Sequence, residues 1–194
     1  MKPFTIPLGS KAPDFKLLAT DGKSYSLKDF HKAKVLIIFF SCNHCPYVIG
    51  SDDDTAALAH SLKDQGVEFV AINSNSKNTY EEDSYEHMIE RIKKHHFPWH
   101  YLYDEKQSVA LAYGALRTPH FFVFDEERKL IYCGRGTDSP RDSSKIKERD
   151  LQLALEEHLR GKKISKPLTN PIGCNIKWEG KDRHWMPEEA CDLS

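Results

Sequence analysis

The sequence predicts an α/β domain with a central sheet flanked by helices. Two short apolar runs, VLIIFF at 35–40 and VEFVAIN at 67–73, are typical of buried strands. A segment of helical periodicity follows each run, and a helix that crosses between strands favours parallel pairing. Two further apolar segments, 120–124 and 130–133, are separated by a short turn and predict an antiparallel edge. We therefore expect a mixed and mostly parallel sheet.

The segment before the first buried strand predicts a β-hairpin. Short apolar stretches at 15–17 and 25–27 flank Asp21-Gly22. This dipeptide favours a tight turn because glycine accepts positive φ angles. Ser26 then precedes four residues with the pattern of a single capped helical turn.

Two helix starts are predicted from capping residues. The first helix should begin near Asn43, and Pro46 suits its first turn, where a missing N–H costs least. Asp83 and Glu86 have the spacing of a capping box ahead of an apolar helical face. Leucines recurring over 151–159 mark the last helix.

Length and composition favour one domain. The chain has 194 residues, of which 39% are hydrophobic, enough for a sizeable core. We assign residues 1–161 to the main α/β unit and 162–194 to a C-terminal tail of the same domain, with an end expected to be disordered. The tail holds Ile172, Ile176 and Trp178. Each forfeits about 1.5–3 kcal/mol if it stays in water, so we expect the tail to pack on the domain.

Charge and cysteine content limit the classes of partner and the cellular compartment that we expect. A formal net charge of -1 argues against a nucleic-acid partner. The N-terminal residues lack the apolar core of a signal peptide, and no apolar run reaches membrane-spanning length, so we expect no membrane partner. Five cysteines is an odd number, which favours a reducing compartment over a disulfide scaffold. We therefore expect a cytoplasmic location.

Cys42 and Cys45 form a Cys-x-x-Cys motif where a strand gives way to a helix. The free N–H groups and dipole of a helix N-terminus favour the reactive thiolate. Disulfide exchange needs an attacking thiolate and a second thiol to resolve the mixed disulfide. We expect Cys42, nearer the exposed end of the helix, to have the lower pKa and attack, and Cys45 to resolve. His44, if protonated, would favour the reduced form. The alternative is a pair of inert buried cysteines.

Several motifs together resemble a peroxiredoxin-like family of thioredoxin-fold proteins, related to alkyl hydroperoxide reductases and thiol-specific antioxidants. The resemblance spans roughly residues 8–178. It is carried by APDF, DG and SLKDF near the N-terminus, and then by SCNHCPYV, AINSN, YEEDS, YLYDE, TPHFFVFD and IGCNIKW. The resemblance implies a thioredoxin fold with an N-terminal β-hairpin extension, thiol-disulfide oxidoreductase activity and antioxidant activity. The implied partners are a protein or small-molecule disulfide and a thiol electron donor, with no cofactor.

The resemblance also implies roles for residues around Thr118-Pro119. In the thioredoxin fold this peptide is cis and faces the Cys-x-x-Cys motif, leaving backbone groups free to pair with an extended substrate. Arg117 stands roughly where peroxiredoxins carry an arginine that stabilises the thiolate; a solvent-facing arginine is the alternative. For His120 a structural or surface role is favoured over a place in the site.

A thiol peroxidase is the alternative function, although the sequence lacks one signature. Peroxiredoxins carry Pro-x-x-x-Thr/Ser-x-x-Cys. Counting back from Cys45 puts Cys42 at the hydroxyl position and Ile38 at the proline position. Counting back from Cys42 puts Phe39 at the hydroxyl position. Peroxidase activity, if present, should therefore be slower or depend on another geometry.

We expect the remaining cysteines to have different roles. Cys174, in IGCNIKW, is either a third redox thiol delivered to the motif by the tail or a small packed apolar residue. Cys133 is expected in the core and Cys191 to be incidental.

A second alternative is metal binding. Cys42, His44 and Cys45 offer soft ligands to copper or zinc. Our main interpretation includes no metal.

Overall fold

The computed structural model describes residues 4–190 and contains one large mixed sheet flanked by helices. The strands are β1 (Lys16–Ala19), β2 (Ser24–Ser26), β3 (Val35–Ser41), β4 (Val67–Asn73), β5 (His100–Tyr103), β6 (Arg117–Thr118), β7 (His120–Phe124), β8 (Leu130–Gly134) and β9 (Cys174–Asn175). The helices are α1 (Pro46–Leu62), α2 (Tyr85–His95), α3 (Ser108–Tyr113) and α4 (Asp150–Leu159). The large sheet has the order β2-β1-β5-β4-β3-β7-β8, and β6 pairs with β9 in a separate ladder.

Strand β3 lies inside the large sheet and contributes side chains to an apolar core on each face of that sheet. All seven of its residues are buried. Successive side chains of a strand point to opposite faces. Accordingly, the even-numbered residues over 36–40 pack in one apolar core and the odd-numbered residues over 35–39 pack in the other. Burial on both faces explains why this strand is apolar throughout.

The predicted mixed sheet is confirmed, but the expectation that it is mostly parallel is wrong. Parallel pairing joins β3 to β4 and β4 to β5. The other neighbours in the large sheet pair antiparallel. The reason is that β7 runs opposite to β3 and continues into β8 through a short turn, and the N-terminal hairpin docks antiparallel on β5.

The predicted hairpin and single helical turn are confirmed. Strands β1 and β2 pair antiparallel, and Gly22 between them has a φ of 80°. Such an angle is open to glycine at little cost. Ser26 exchanges hydrogen bonds with Asp29, which closes the turn over Leu27–Phe30.

Two predicted helix starts are wrong. Helix α1 begins at Pro46, with Cys45 as its N-cap residue, not near Asn43. The N–H of Asn43 is instead bound by the Asp83 carboxylate. Helix α2 is preceded by Ser84, so Asp83 does not form the predicted capping box with Glu86. In both cases a contact between distant segments replaces a local capping pattern.

The tail packs on the domain, as predicted. Ile176 is 1% exposed and belongs to the core on one side of the sheet, and Trp178 packs against that core. The segment also pairs with β6 through β9. The predictions for the chain end and Cys191 fall outside the described residues. Within residues 4–190, no helix has the length and apolar character needed to cross a membrane.

Truncating Ile176 to alanine should destabilise the fold. The side chain is buried, so its loss should lower the free energy of unfolding by about 2–5 kcal/mol in urea denaturation. The matched control is Ile49→Ala. Ile49 is 52% exposed, so the same truncation there should change the free energy by less than about 0.5 kcal/mol. Equal effects of the two changes would contradict docking of the tail in the core.

Candidate active site

The two cysteines of the motif sit at the junction of β3 and α1. Cys42 directly follows β3, and Cys45 is the N-cap of α1 with Pro46 behind it. Both are 0% exposed. They pack with Val48, and the partly buried Tyr47 and Cys174 lie against this cluster. A substrate therefore reaches the sulfurs only after the cover over them moves.

Thr118 contacts both sulfurs. The Thr118–Pro119 peptide is cis, which confirms the prediction. The Cys45 thiol donates to the Thr118 carbonyl oxygen at 3.2 Å. The Thr118 hydroxyl lies 3.4 Å from Cys42 Sγ. One residue thus faces both members of the motif, as the resemblance implied.

Asp83 fixes the loop between the two cysteines. Its Oδ1 accepts the Asn43 N–H at 2.7 Å. Its Oδ2 lies 2.7 Å from His44 Nδ1 and accepts the Asn75 side-chain N–H at 2.8 Å. The carboxylate is fully buried, and buried polar groups of this kind require partners. These three bonds hold the middle of the Cys-x-x-Cys motif against the end of β4.

His44 is held between Asp83 and an aromatic ring. The imidazole stacks on Tyr80, with centroids 4.0 Å apart and planes 17° apart. The Lys177 ammonium lies 6.0 Å from the centroid of the Tyr80 ring. The His44 side chain is 16% exposed and is linked through Tyr80 to the C-terminal tail.

The tail occupies the edge that we expected a substrate to use. Strand β9 pairs antiparallel with β6, with Cys174 opposite Thr118. Gly173 makes this approach possible, because a Cβ there would lie 2.1 Å from the Thr118 carbonyl oxygen. The expectation that the backbone before Pro119 is free is therefore wrong, since the chain itself pairs with it. Cys174 is brought to the motif and packs against the cluster that contains Cys42 and Cys45.

Arg117 and His120 have structural positions. Arg117 Nη1 donates to the Gly173 carbonyl at 3.1 Å and to Asn175 Oδ1 at 2.9 Å, so it holds the tail rather than facing open solvent. His120 is 0% exposed, and burial lowers its pKa to about 3, so its ring is neutral. Its Nδ1 accepts the Leu116 N–H and its Nε2 lies 3.3 Å from Cys133 Sγ. Cys133 itself is buried, as predicted.

The surroundings of the two thiols oppose the predicted order of their pKa values. Burial raises the pKa of Cys42, and a hydrogen bond to Cys45 and the nearby Asp83 charge raise it further. Hydrogen bonds from Cys174 and Cys42 lower the pKa of Cys45, with a further contribution from the Val48 N–H. The prediction assumed a helix starting near Asn43. Because α1 starts one residue after Cys45, the helix contributes the Val48 N–H near Cys45 rather than near Cys42, and the neighbouring thiols contribute more than the helix does.

Asp83 is the residue of the site that the sequence did not reveal. It lies about forty positions from Cys42, and its spacing to Glu86 predicts a capping residue of α2. The YEEDS segment that contains it contributes to the family resemblance but indicates no role in the site. No local pattern signals a carboxylate that binds the motif from another segment.

The structure brings together a set of possible metal ligands that differs from the predicted set. One ligand atom each from Cys42, His44 and Asp83 lie within 4.8 Å of one another. The predicted set had Cys45 in place of Asp83. A metal at this position would have to compete with the hydrogen bonds that Asp83 already accepts.

Alkylation of the reduced protein should modify Cys45 in preference to Cys42 at mildly acidic pH. The thiolate of Cys45 should persist as the pH falls below the ordinary thiol value of about 8.5, because its pKa is lowered. Its alkylation rate should therefore change little between about pH 8 and pH 6, whereas that of Cys42 should be low throughout. Peptide mapping after brief alkylation gives both rates. A Cys42 rate that exceeds that of Cys45 would contradict this assignment.

Replacing Asp83 by asparagine should destabilise the site. Either orientation of the new amide sets its NH₂ group against a donor, Asn43 N–H on one side or His44 and Asn75 on the other. An unsatisfied buried group should lower the free energy of unfolding by about 1–3 kcal/mol. The pKa of Cys42 should also fall, because the Asp83 charge raises it. The control Asp53→Asn changes an exposed carboxylate of α1 and should have neither effect.

Comparison with solved structures supports the architecture. An uncharacterized conserved protein from Geobacillus kaustophilus is 37% identical, with a TM-score of 0.85, covering 94% of this chain and 97% of that one. The thioredoxin domain of thiol-disulfide oxidoreductase BVU-2223 from Bacteroides vulgatus is 23% identical, with a TM-score of 0.57, covering 71% and 94%. The second similarity shows that the fold is a thioredoxin fold.

Comparison of sequences points to the same class of protein. The thiol-disulfide oxidoreductase ResA of Bacillus thuringiensis subsp. konkukian is 23% identical over 161 residues, which are 80% of this chain and 78% of that protein. The Redoxin family profile matches residues 7–150. The chain therefore belongs to the Redoxin family and is a redox protein of the thioredoxin type.

Proposed function

We propose that this chain is a thiol-disulfide oxidoreductase whose dithiol is Cys42 and Cys45, with Cys45 as the attacking thiol. The observation that carries the proposal is the position of Cys45 as the N-cap of α1, where thiol and N–H donors lower its pKa. Thiolates are the nucleophiles of disulfide exchange. This reverses the roles expected from the sequence, in which Cys42 attacks and Cys45 resolves.

The surroundings of Cys42 suit the resolving role. In the first step the Cys45 thiolate attacks one sulfur of a substrate disulfide, forms a mixed disulfide and releases the other sulfur as a thiolate. The negative charge of Cys45 is then gone. That charge and the hydrogen bond to Cys45 are two of the causes that raise the pKa of Cys42. Cys42 then ionises more readily and attacks Cys45, giving the Cys42–Cys45 disulfide and the second substrate thiol.

An open cleft beside the tail is the proposed approach for the substrate. It has a volume of about 670 Å³, and Tyr47, Arg117 and Gly173 are among its lining residues. The partners are accordingly a protein or small-molecule disulfide and a thiol donor that returns the motif to its reduced state. A cytoplasmic location is part of the proposal and rests on the cysteine content, since a reducing compartment would keep these thiols available.

A thiol peroxidase is the second candidate, and one contact favours it. The sequence lacks a hydroxyl at either position expected of peroxiredoxins, but the Thr118 hydroxyl lies 3.4 Å from Cys42 Sγ. The local motif supplies no hydroxyl, but the tertiary structure places the Thr118 hydroxyl beside the thiols. Antioxidant activity belongs to this alternative.

The wild-type protein should catalyse reduction of a peptide disulfide by a small dithiol, and Cys45→Ser should reduce the rate to the uncatalysed level. Loss of the attacking sulfur removes the first step. Cys133→Ala is the control, because Cys133 is buried beside His120 and outside the site, and it should retain the wild-type kcat/KM.

The same preparation should be assayed for consumption of hydrogen peroxide. A kcat/KM for peroxide above that for the disulfide would replace the proposed function by the peroxidase. Full disulfide activity in Cys45→Ser would reject Cys45 as the attacking thiol.

A further inference from the structure

Cys174 shares the site with the dithiol but is not needed for the two steps above. It is partly exposed and packs against the cluster of Cys42, Cys45 and Val48. Cys133 shows what a purely structural cysteine of this fold looks like. It is 0% exposed, and its sulfur contacts only a neutral buried histidine among the polar partners that the described residues provide. The two cysteines therefore have different surroundings.

The tail holds Cys174 at this place from both sides. Before it, the Gly173 carbonyl accepts from Arg117, and the Thr118 carbonyl lies too close to Gly173 for any side chain there. After it, the Ile176 N–H donates to the Leu116 carbonyl at 3.2 Å. The Lys177 N–H donates to Asn75 Oδ1 at 2.9 Å. A segment anchored this way presents its sulfur to Cys45 in a restricted range of positions, which favours reaction between them.

We propose that Cys174 is a third redox thiol that exchanges with Cys42 as the disulfide partner of Cys45. The inference rests on the proposed function, because that function supplies the Cys42–Cys45 disulfide. It assigns the tail a chemical role at the edge where a substrate strand was expected. Cys174, set opposite Thr118 in the β6–β9 ladder, takes the place of a substrate sulfur.

The exchange conserves electrons. The Cys174 thiolate attacks Cys45 Sγ of the Cys42–Cys45 disulfide; the Cys45–Cys174 bond forms and the Cys42–Cys45 bond breaks. Cys42 leaves as a thiolate and takes up the proton that Cys174 gave up, so no external oxidant or reductant is consumed. Reversal of the same step restores the first disulfide, and a thiol donor reduces either form.

Nearby charges assist the attacking thiol. Arg117 and Lys177 both favour the charged form of Cys174, although its hydrogen bond to the Cys45 thiolate raises its pKa in the reduced protein. Oxidation of Cys45 to a disulfide removes that thiolate and leaves the two cations. Cys174 is therefore more readily ionised in the state in which it has a disulfide to attack.

Disulfide mapping tests the inference. Reduced protein is oxidised with glutathione disulfide, quenched in acid, alkylated and mapped by mass spectrometry. Wild type should contain both Cys42–Cys45 and Cys45–Cys174 bonds. Cys42→Ser should convert fully to Cys45–Cys174, and Cys174→Ser should contain only Cys42–Cys45. Cys133→Ala should give the wild-type pattern.

A backbone variant tests the delivery of the thiol without removing any sulfur. Gly173→Ala should displace β9, because the added methyl would meet the Thr118 carbonyl, and the Cys45–Cys174 bond should disappear while Cys42–Cys45 remains. Gly180→Asn is the control, because a Cβ at that tail position meets nothing within 4 Å and asparagine tolerates its φ of 68° better than other side chains do, and it should retain both bonds.

Two results would overturn the inference. One is a Cys42→Ser protein in which Cys45 stays glutathionylated and Cys174 stays free. The other is a wild-type protein that never contains Cys45–Cys174. Failure of the proposed function is seen separately, as absence of disulfide turnover, and the map of Cys42→Ser does not depend on turnover.

Discussion

The pairing of Thr118 with Cys174 is the constraint on which the arrangement of the site depends. Thr118 faces Cys42 with its hydroxyl and Cys45 with its carbonyl, while the backbone beside it carries strand β9. One short ladder thus fixes the tail relative to both sulfurs. Without it, the site would be a dithiol at the start of a helix with an open edge. With this ladder, the tail covers the edge of β6, and Cys42 and Cys45 are both 0% exposed.

Asp83 fixes the loop between the two motif cysteines, as Thr118 and β9 fix the tail beside them. It draws Asn43, His44 and Asn75 together in the buried space at the end of β4. Its charge also opposes ionisation of Cys42, so the residue that orders the loop helps to place the thiolate on Cys45. Positioning and electrostatics are therefore contributed by the same carboxylate.

The sequence predicts the fold well where local pattern decides structure. Uninterrupted apolar runs identify β3 and β4, and Asp21-Gly22 identifies the hairpin, because burial and turn geometry act over a few residues. The motif cysteines and the cis Thr118–Pro119 peptide follow from the motifs together with the family resemblance, whereas the sequence leaves the position of Cys174 open between the motif and a packed structural site. The start of α1, the role of Asp83 and the pairing of β9 do not follow. Each depends on a contact between segments far apart in the sequence, where tertiary partners compete with local caps.

The error in the helix start has the largest chemical consequence. A helix that begins near Asn43 would place its free N–H groups around Cys42 and put Cys45 a turn inside. A start at Pro46 makes Cys45 the N-cap residue and leaves Cys42 at the end of a buried strand beside a carboxylate. Cys45 then lies in one cluster with Cys42 and with Cys174 of the tail. A shift of three residues in one boundary thus changes which of the two motif cysteines is the proposed attacking thiol, while the pairing of β9 with β6 independently adds Cys174 to the cluster.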